Sequence, residues 1–208
     1  MNSSMPRDTN LSVPQIAALV CHPDARSGVV RRIDAGAWRT PNGALAITYA
    51  LRGDSRRVRV PAPRLPRRAD LLWQHTCFEA FIALKGGRAY YELNFAPSGE
   101  WAAYAFRRYR EEVPLPMDDL APKITTRRTE GGLEVDVLVG LDRLADTAPR
   151  AKLRLALAAV IEEEGGDVTY WALKHPEGKP DFHHPEGFTL ELAPPQIARK
   201  RKPRRRRG

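Results

Sequence analysis

The sequence predicts an all-β fold, an antiparallel β-sandwich of jelly-roll-like type with little helix, on three observations. Two strand-like runs flank Gly86-Gly87, a turn signal that admits the left-handed backbone of a tight hairpin. Apolar residues recur with a period of two at Leu45, Ile47, Tyr49 and Leu51, at Leu133, Val135, Val137 and Val139, and at Leu153, Leu155 and Leu157. Pro and Gly clusters part these runs at spacings expected of a sandwich.

In chain order, strands are expected over 16–21, 28–35, 44–51, 57–60, 74–84, 88–96, 101–109, 132–141, 152–162, 169–175 and 188–192, with a short helical turn over 141–145. Residues 1–14 read as a flexible leader, 15–194 as the sandwich domain and 195–208 as a disordered basic tail. The longest irregular pieces are 61–70, 114–123 and 176–187. Long loops on a sandwich often carry function, because the sheets hold their ends rigidly. The first leads into Trp73 and the third leaves Trp171, which could bring both loops beside one surface.

The turn sets the register of the hairpin around it. If Lys85 faces Arg88, counting outward puts Phe78, Ala80, Ile82 and Leu84 on one face with Tyr91, Leu93 and Phe95. The other face receives Trp73, His75, Cys77, Glu79 and Phe81, joined by Tyr90, Glu92 and Asn94. The first face reads as core. The second mixes rings with acids and amides, as the floor of a ligand site does.

At 208 residues the chain can bury one sizeable core, and 42% hydrophobic with 28% charged residues fits a soluble globular protein. No run approaches the roughly 18 apolar residues of a membrane-spanning helix, and the first fifteen residues lack the pattern of a secretory signal. Cys21 and Cys77 do not make a disulfide framework, so a cytoplasmic location is expected. The net charge of +9 misleads: eight of the 34 basic residues fall in 199–207, leaving 26 against 25 acidic ones. That run fits a solvated tail, or weak salt-sensitive contact with nucleic acid or an anionic membrane surface. It holds no aromatic residue for stacking on bases.

Trp73 and Trp171 each sit where a strand adjoins a long loop. Indole rings stack on the CH faces of sugars, while acids and amides such as Glu79, Glu92 and Asn94 bond the hydroxyls. Both indoles could equally fill the core with their N–H groups satisfied locally. Thr169, Trp171, Leu173 and His175 share one strand face, which would set His175 at the border of a Trp171 pocket. Beyond the turn Asn94–Gly99, Trp101 and Tyr104 could extend the aromatic floor, whereas Arg107, Arg108 and Arg110 read as a solvated edge.

Trp73 followed by Glu79 in TCFEAFI, then YYELNFAPSGEW and finally YWALKHPEGKPDFH, resembles the DOMON-like superfamily, within which family nine carbohydrate-binding modules are the nearest sugar binders. The resemblance implies an antiparallel β-sandwich that holds a sugar between two tryptophans, here Trp73 and Trp171, with Glu79 bonding sugar hydroxyls. It departs from those modules where they bring a basic group into the site and this chain offers Glu92 and Asn94. Some DOMON-like relatives bind haem instead.

No cofactor is therefore expected, and the alternatives weigh as follows. Haem would draw on His75, His175, His183, His184 or Met117, but no CxxCH sequence is present. His175, Asp181, His183 and His184 are the densest set of possible metal ligands, at spacings that match neither HExxH nor a Cys/His zinc pattern. Glu79 and Glu92 are diagonal neighbours, as a glycoside-acting enzyme would need, yet two acids on a sheet face are commonplace and binding is favoured over catalysis. An aromatic face that docks a protein is the further alternative.

Overall fold

The computed structural model describes residues 14–115, 120–144 and 151–195. Of the expected leader and basic tail only Pro14 and Pro195 are among them, and Met117 lies outside the described residues. The described chain is all-β and antiparallel, and its helix is confined to short 3-10 turns.

The strands are β1 (Gln15–Cys21), β2 (Val30–Arg39), β3 (Leu45–Gly53), β4 (Cys77–Leu84), β5 (Tyr90–Phe95), β6 (Trp101–Arg108), β7 (Glu111–Val113), β8 (Lys123–Thr129), β9 (Gly132–Val139), β10 (Leu153–Glu162), β11 (Val168–Ala172) and β12 (Leu190–Leu192). They run in the order β7-β6-β5-β4-β10-β11-β1-β2-β3-β9-β8, with β12 also paired to β10. β1 belongs to both halves of this order. Gln15–Leu19 pair with β2, whereas Val20 and Cys21 pair with β11. A strand shared in this way is a corner at which one sheet turns over onto itself.

The two layers close on a common core. Ile33, Leu45, Ile47, Tyr49, Leu51, Leu133 and Val135 from the β1-β2-β3-β9-β8 half pack with Phe78, Ile82, Leu93, Phe95, Leu155 and Leu157 from the other. Tyr49 adds a polar contact: its ring lies 4.9 Å from that of Phe78, and its hydroxyl donates to the Glu79 carbonyl at 2.7 Å. Full burial of side chains this size contributes about 1.5–3 kcal/mol each. A second, smaller apolar cluster lies on the outer face of β4, β5 and β6, where Phe81, Ala83, Tyr90 and Phe106 pack with Ala156 and Phe188. The segment after β11 supplies its cover, so β4 is buried on both faces.

The β4–β5 register is the expected one, with Phe78 opposite Phe95, Glu79 opposite Asn94 and Phe81 opposite Glu92. The turn is wider than expected. The ladder ends at Ala83 and Tyr90, Gly87 N–H donates to the Leu84 carbonyl at 3.0 Å, and Gly86 takes the left-handed backbone at φ +87°. The expected strand over 57–60 is instead a 3-10 turn, Ser55–Arg57, and an isolated bridge from Val58 to Glu163. Two edge strands, β7 and β8, were not expected. Lys123–Thr129 reads KITTRRT, and edges tolerate charge because one side of the strand pairs with nothing.

Candidate functional site

The outer face of β4, β5, β6, β10 and β11 floors an open cleft of about 870 Å³. Side-chain alternation decides what reaches it: Glu79 and Phe81 from β4, Glu92 from β5, Tyr104 and Phe106 from β6, Val160 from β10, and Val168 and Tyr170 from β11. One wall is the end of the first long loop, Leu71, Trp73 and Gln74. The other is Lys179, Pro180, Phe182 and His183 from the third loop, while Arg110 and Glu112 close one end. The two loops meet at one surface, as their positions in the sequence suggested.

Local backbone aims the rim. Leu71 sits at φ +60° and caps the 3-10 turn Leu72–Gln74, from which Trp73 projects with 47% of its surface exposed. Arg110 also holds a left-handed backbone, at φ +54°. Such a conformation costs a non-glycine residue about 1–2 kcal/mol. Among the described residues only three non-glycines adopt it, and two of them line this cleft. Strain of this kind gathers at functional surfaces.

The floor holds acids in an apolar setting. Glu79 is 3% exposed, and its Oε1 has no hydrogen-bond partner among the described residues. Burial holds its carboxyl well above the usual carboxylate range, and the nearby Glu92 adds to the effect. The protonated, hydrogen-bond-donating form is thereby favoured. Glu92 is pushed up by burial too, against the opposing pull of an Asn94 hydrogen bond and Arg110. Asn94 Nδ2 donates to Glu92 Oε1 at 2.9 Å, while Asn94 Oδ1 is buried without a partner among the described residues. An unmatched buried polar atom costs about 1–3 kcal/mol, so a pair of them in one patch calls for a reason.

His183 joins this patch to the cleft wall. The Arg110 backbone N–H donates to the Tyr90 hydroxyl at 3.1 Å, so that hydroxyl is free to donate to His183 Nδ1 at 2.9 Å. The Nε2–H is then turned toward Glu92 Oε2, 3.5 Å away. Burial and the charge of Arg110 push His183 down to about 4, which keeps the ring neutral.

Trp73, Glu79 and Glu92 thus line one cleft, and Asn94 stands behind Glu92 and holds it. Two expected residues lie elsewhere. Trp171 is 4% exposed within the core, and its Nε1 donates to Thr169 Oγ1 at 3.0 Å. It pairs with Ala159, which pairs with Phe78, so it falls on the inner face. The residue before it, Tyr170, pairs with Val160 on the cleft side. The expectation of a hollow between two indoles is therefore corrected: β11 brings a phenol to the cleft and hides its indole.

His175 also departs from expectation, because β11 ends at Ala172. Its Nε2–H donates to the Val20 carbonyl at 2.9 Å, and its ring meets those of His22 and Phe182. It fastens the third loop to β1. Trp101, named as a possible part of the floor, is buried in the core, whereas Tyr104 does line the cleft. Asp181 is committed to Tyr109 and Arg110, and His184 Nδ1 caps Glu186.

Sequence reasoning missed Arg110, Phe182 and Tyr170 as cleft residues. Arg110 supplies the basic group that the facing strand lacks, and its left-handed backbone turns it out of the Arg107–Arg108 run. Phe106 pairs with Tyr90 across β5 and β6 and so shares its face.

The fold has solved counterparts. A putative carbohydrate-binding protein from Bacteroides uniformis matches with a TM-score of 0.62 at 13% identity, over 88% of this chain and 86% of that one. A family 9 carbohydrate binding module from Caldicellulosiruptor kristjanssonii in complex with cellotriose gives 0.46 at 12% identity, over 82% of each chain. The same kind of module with glucose gives 0.47 at 13%, over 81% of this chain and 78% of that one. The first of these shows the all-β fold. No protein-family model matches the chain, and no curated protein does.

Proposed function

We propose that this chain binds a carbohydrate or sugar-containing metabolite in the outer-face cleft. The observation that carries the reading is the pairing of a half-exposed indole, Trp73, with buried carboxyls across an open cleft. Trp73 stacks on the apolar face of a sugar ring, with Tyr170, Tyr104 and Phe182 completing the aromatic walls. Glu79 donates to a hydroxyl through its protonated carboxyl, and Glu92, held by Asn94, accepts from another. Arg110 adds a cationic donor at one end. The resemblance of the Trp73 and Glu79 motif to DOMON-like sugar binders, and the fold shared with the putative carbohydrate-binding protein from Bacteroides uniformis, support the same reading.

The test is calorimetric titration of mono- and disaccharides, with tryptophan fluorescence as the second signal. Trp73→Ala should weaken the best ligand by about tenfold or more, since stacked aromatic anchors dominate such sites. Affinity unchanged in folded Trp73→Ala would remove the reading. A glycoside-acting enzyme remains the second reading because Glu79, driven toward its neutral form, lies beside Glu92. Turnover of glycosides that vanishes in both Glu79→Gln and Glu92→Gln would establish it.

A further inference from the structure

A second cavity, of about 370 Å³, lies on the same outer face beside the cleft and shares His183 with it. Its floor is Ala83, Tyr90 and Phe188. Arg88, Arg108 and Arg154 stand around that floor, and the lining contains no Asp or Glu.

The acids nearby are already engaged. Glu111 holds Arg107 and Arg108, Asp181 holds Arg110 and the Tyr109 hydroxyl, and Glu191 holds Lys85. Among the described residues Arg154 donates only to backbone carbonyls, those of Phe188 at 3.2 Å and Pro185 at 3.5 Å, and its guanidinium lies 5.8 Å from the Phe188 ring centroid. Arg88 has no partner among the described residues. Glu191 stands opposite Arg154 across the β10–β12 ladder but is bonded to Lys85, so among the described residues neither guanidinium has a carboxylate hydrogen bond.

Register sharpens the point. The β5–β6 ladder ends at Tyr90 and Phe106, so Arg88 stands in the turn beyond it and lines the cavity together with Arg108. Ala83, next to Tyr90 in the ladder, pairs on its other side with Arg154. Like charges gathered around one cavity repel, and a bound anion relieves that repulsion. Guanidiniums bind oxyanions with paired, charge-assisted hydrogen bonds.

We infer that this cavity is an oxyanion subsite, so that the ligand is an acidic saccharide whose sugar ring lies in the cleft and whose carboxylate or phosphate reaches Arg88 and Arg154. The inference rests on the carbohydrate reading for the ring, but not for the anion.

The experiment is calorimetric titration of the full chain with glucose, glucuronate, glucose 6-phosphate and inorganic phosphate. The acidic sugars should bind about tenfold tighter than glucose, and the advantage should shrink with added salt. It should disappear in Arg88→Ala and Arg88→Glu, whose exposed position leaves thermal melting unchanged, while glucose binding stays the same. The stronger of the two acidic sugars tells a carboxylate site from a phosphate site. Equal affinity for acidic and neutral sugars, or an advantage that survives Arg88→Glu, overturns the subsite.

Trp73→Ala separates this result from the carbohydrate reading, because it should weaken glucose and both acidic sugars alike. If no sugar binds the wild type, the carbohydrate reading fails and inorganic phosphate alone decides. Phosphate binding lost in Arg88→Glu then upholds the anion site, and no phosphate binding refutes it.

Discussion

The two faces of β4 are both buried, yet they are built on opposite principles. Toward the interior, Phe78, Ala80 and Ile82 meet apolar side chains of the facing layer, and nothing polar needs an answer there beyond the Tyr49 hydroxyl, which finds the Glu79 carbonyl. Toward the loops, Glu79 stands among Phe81, Phe106 and Tyr104 with one oxygen unmatched. One face spends its burial on stability. The other gives some of that stability up to hold buried carboxyls at the floor of an open cleft, a pattern of binding surfaces more than of cores.

The two tryptophans break or confirm this contrast most sharply. Trp171 belongs to the inner face, so Trp171→Ala should destabilise by about 3–5 kcal/mol, as large-to-small changes in cores do. Chemical denaturation measures this, and ligand affinity of the folded fraction should be retained. Trp73→Ala should do the reverse, changing stability by only about 0.5 kcal/mol because it is half exposed, while removing most of the affinity. If Trp171→Ala abolishes binding without loss of stability, the assignment of the two faces is inverted.

A pH series separates the faces next. Glu79 binds its proton more tightly folded than unfolded, since burial raises its value. Its contribution is full below the ordinary carboxylate range and is lost as pH rises through the raised value. Wild-type Tm should therefore fall relative to Glu79→Gln on raising the pH above about 5. His183 acts in the other direction. Its value is lowered to about 4, so its contribution is present above the ordinary histidine range and is lost as pH falls toward that value. His183→Gln should flatten the acid limb alone. Parallel Tm curves for wild type and both variants would show that neither group titrates out of register with the unfolded chain.

How much of this was legible follows from the same contrast. The β4–β5 register could be read because a glycine turn fixed the count and because Phe78, Ala80 and Ile82 alternate with Glu79, a residue that cannot join an apolar core. Trp73, Glu79 and Glu92 were placed on one surface by that count. β11 offers no such marker. Tyr170 and Trp171 are adjacent rings, either of which suits a core, so parity had to come from pairing with β10, which no local pattern encodes. Arg110 was hidden for a different reason: a single left-handed residue redirected it, and nothing in its neighbours signals that turn. The edge strand β8 was missed because Ile124 is the single apolar residue in KITTRRT, so no alternation shows.

The smallest expected effects come from two tyrosine hydroxyls, one on each side of the layer. Tyr49→Phe removes the bond to the Glu79 carbonyl between the layers, at full burial, and should cost about 1–1.5 kcal/mol. Tyr104→Phe removes a 3.2 Å bond to Asp70, an exposed carboxylate in the loop before Trp73, and should cost about 0.5 kcal/mol or less. Its consequence belongs to function instead. Asp70 anchors the loop that presents Trp73, so loosening it should lower affinity by a few-fold through faster ligand release, measurable by stopped-flow fluorescence. Tyr49→Phe should leave release unchanged. If both variants alter release equally, the two faces are mechanically coupled through β4, and the division between a stabilising side and a binding side does not hold at the level of single hydrogen bonds.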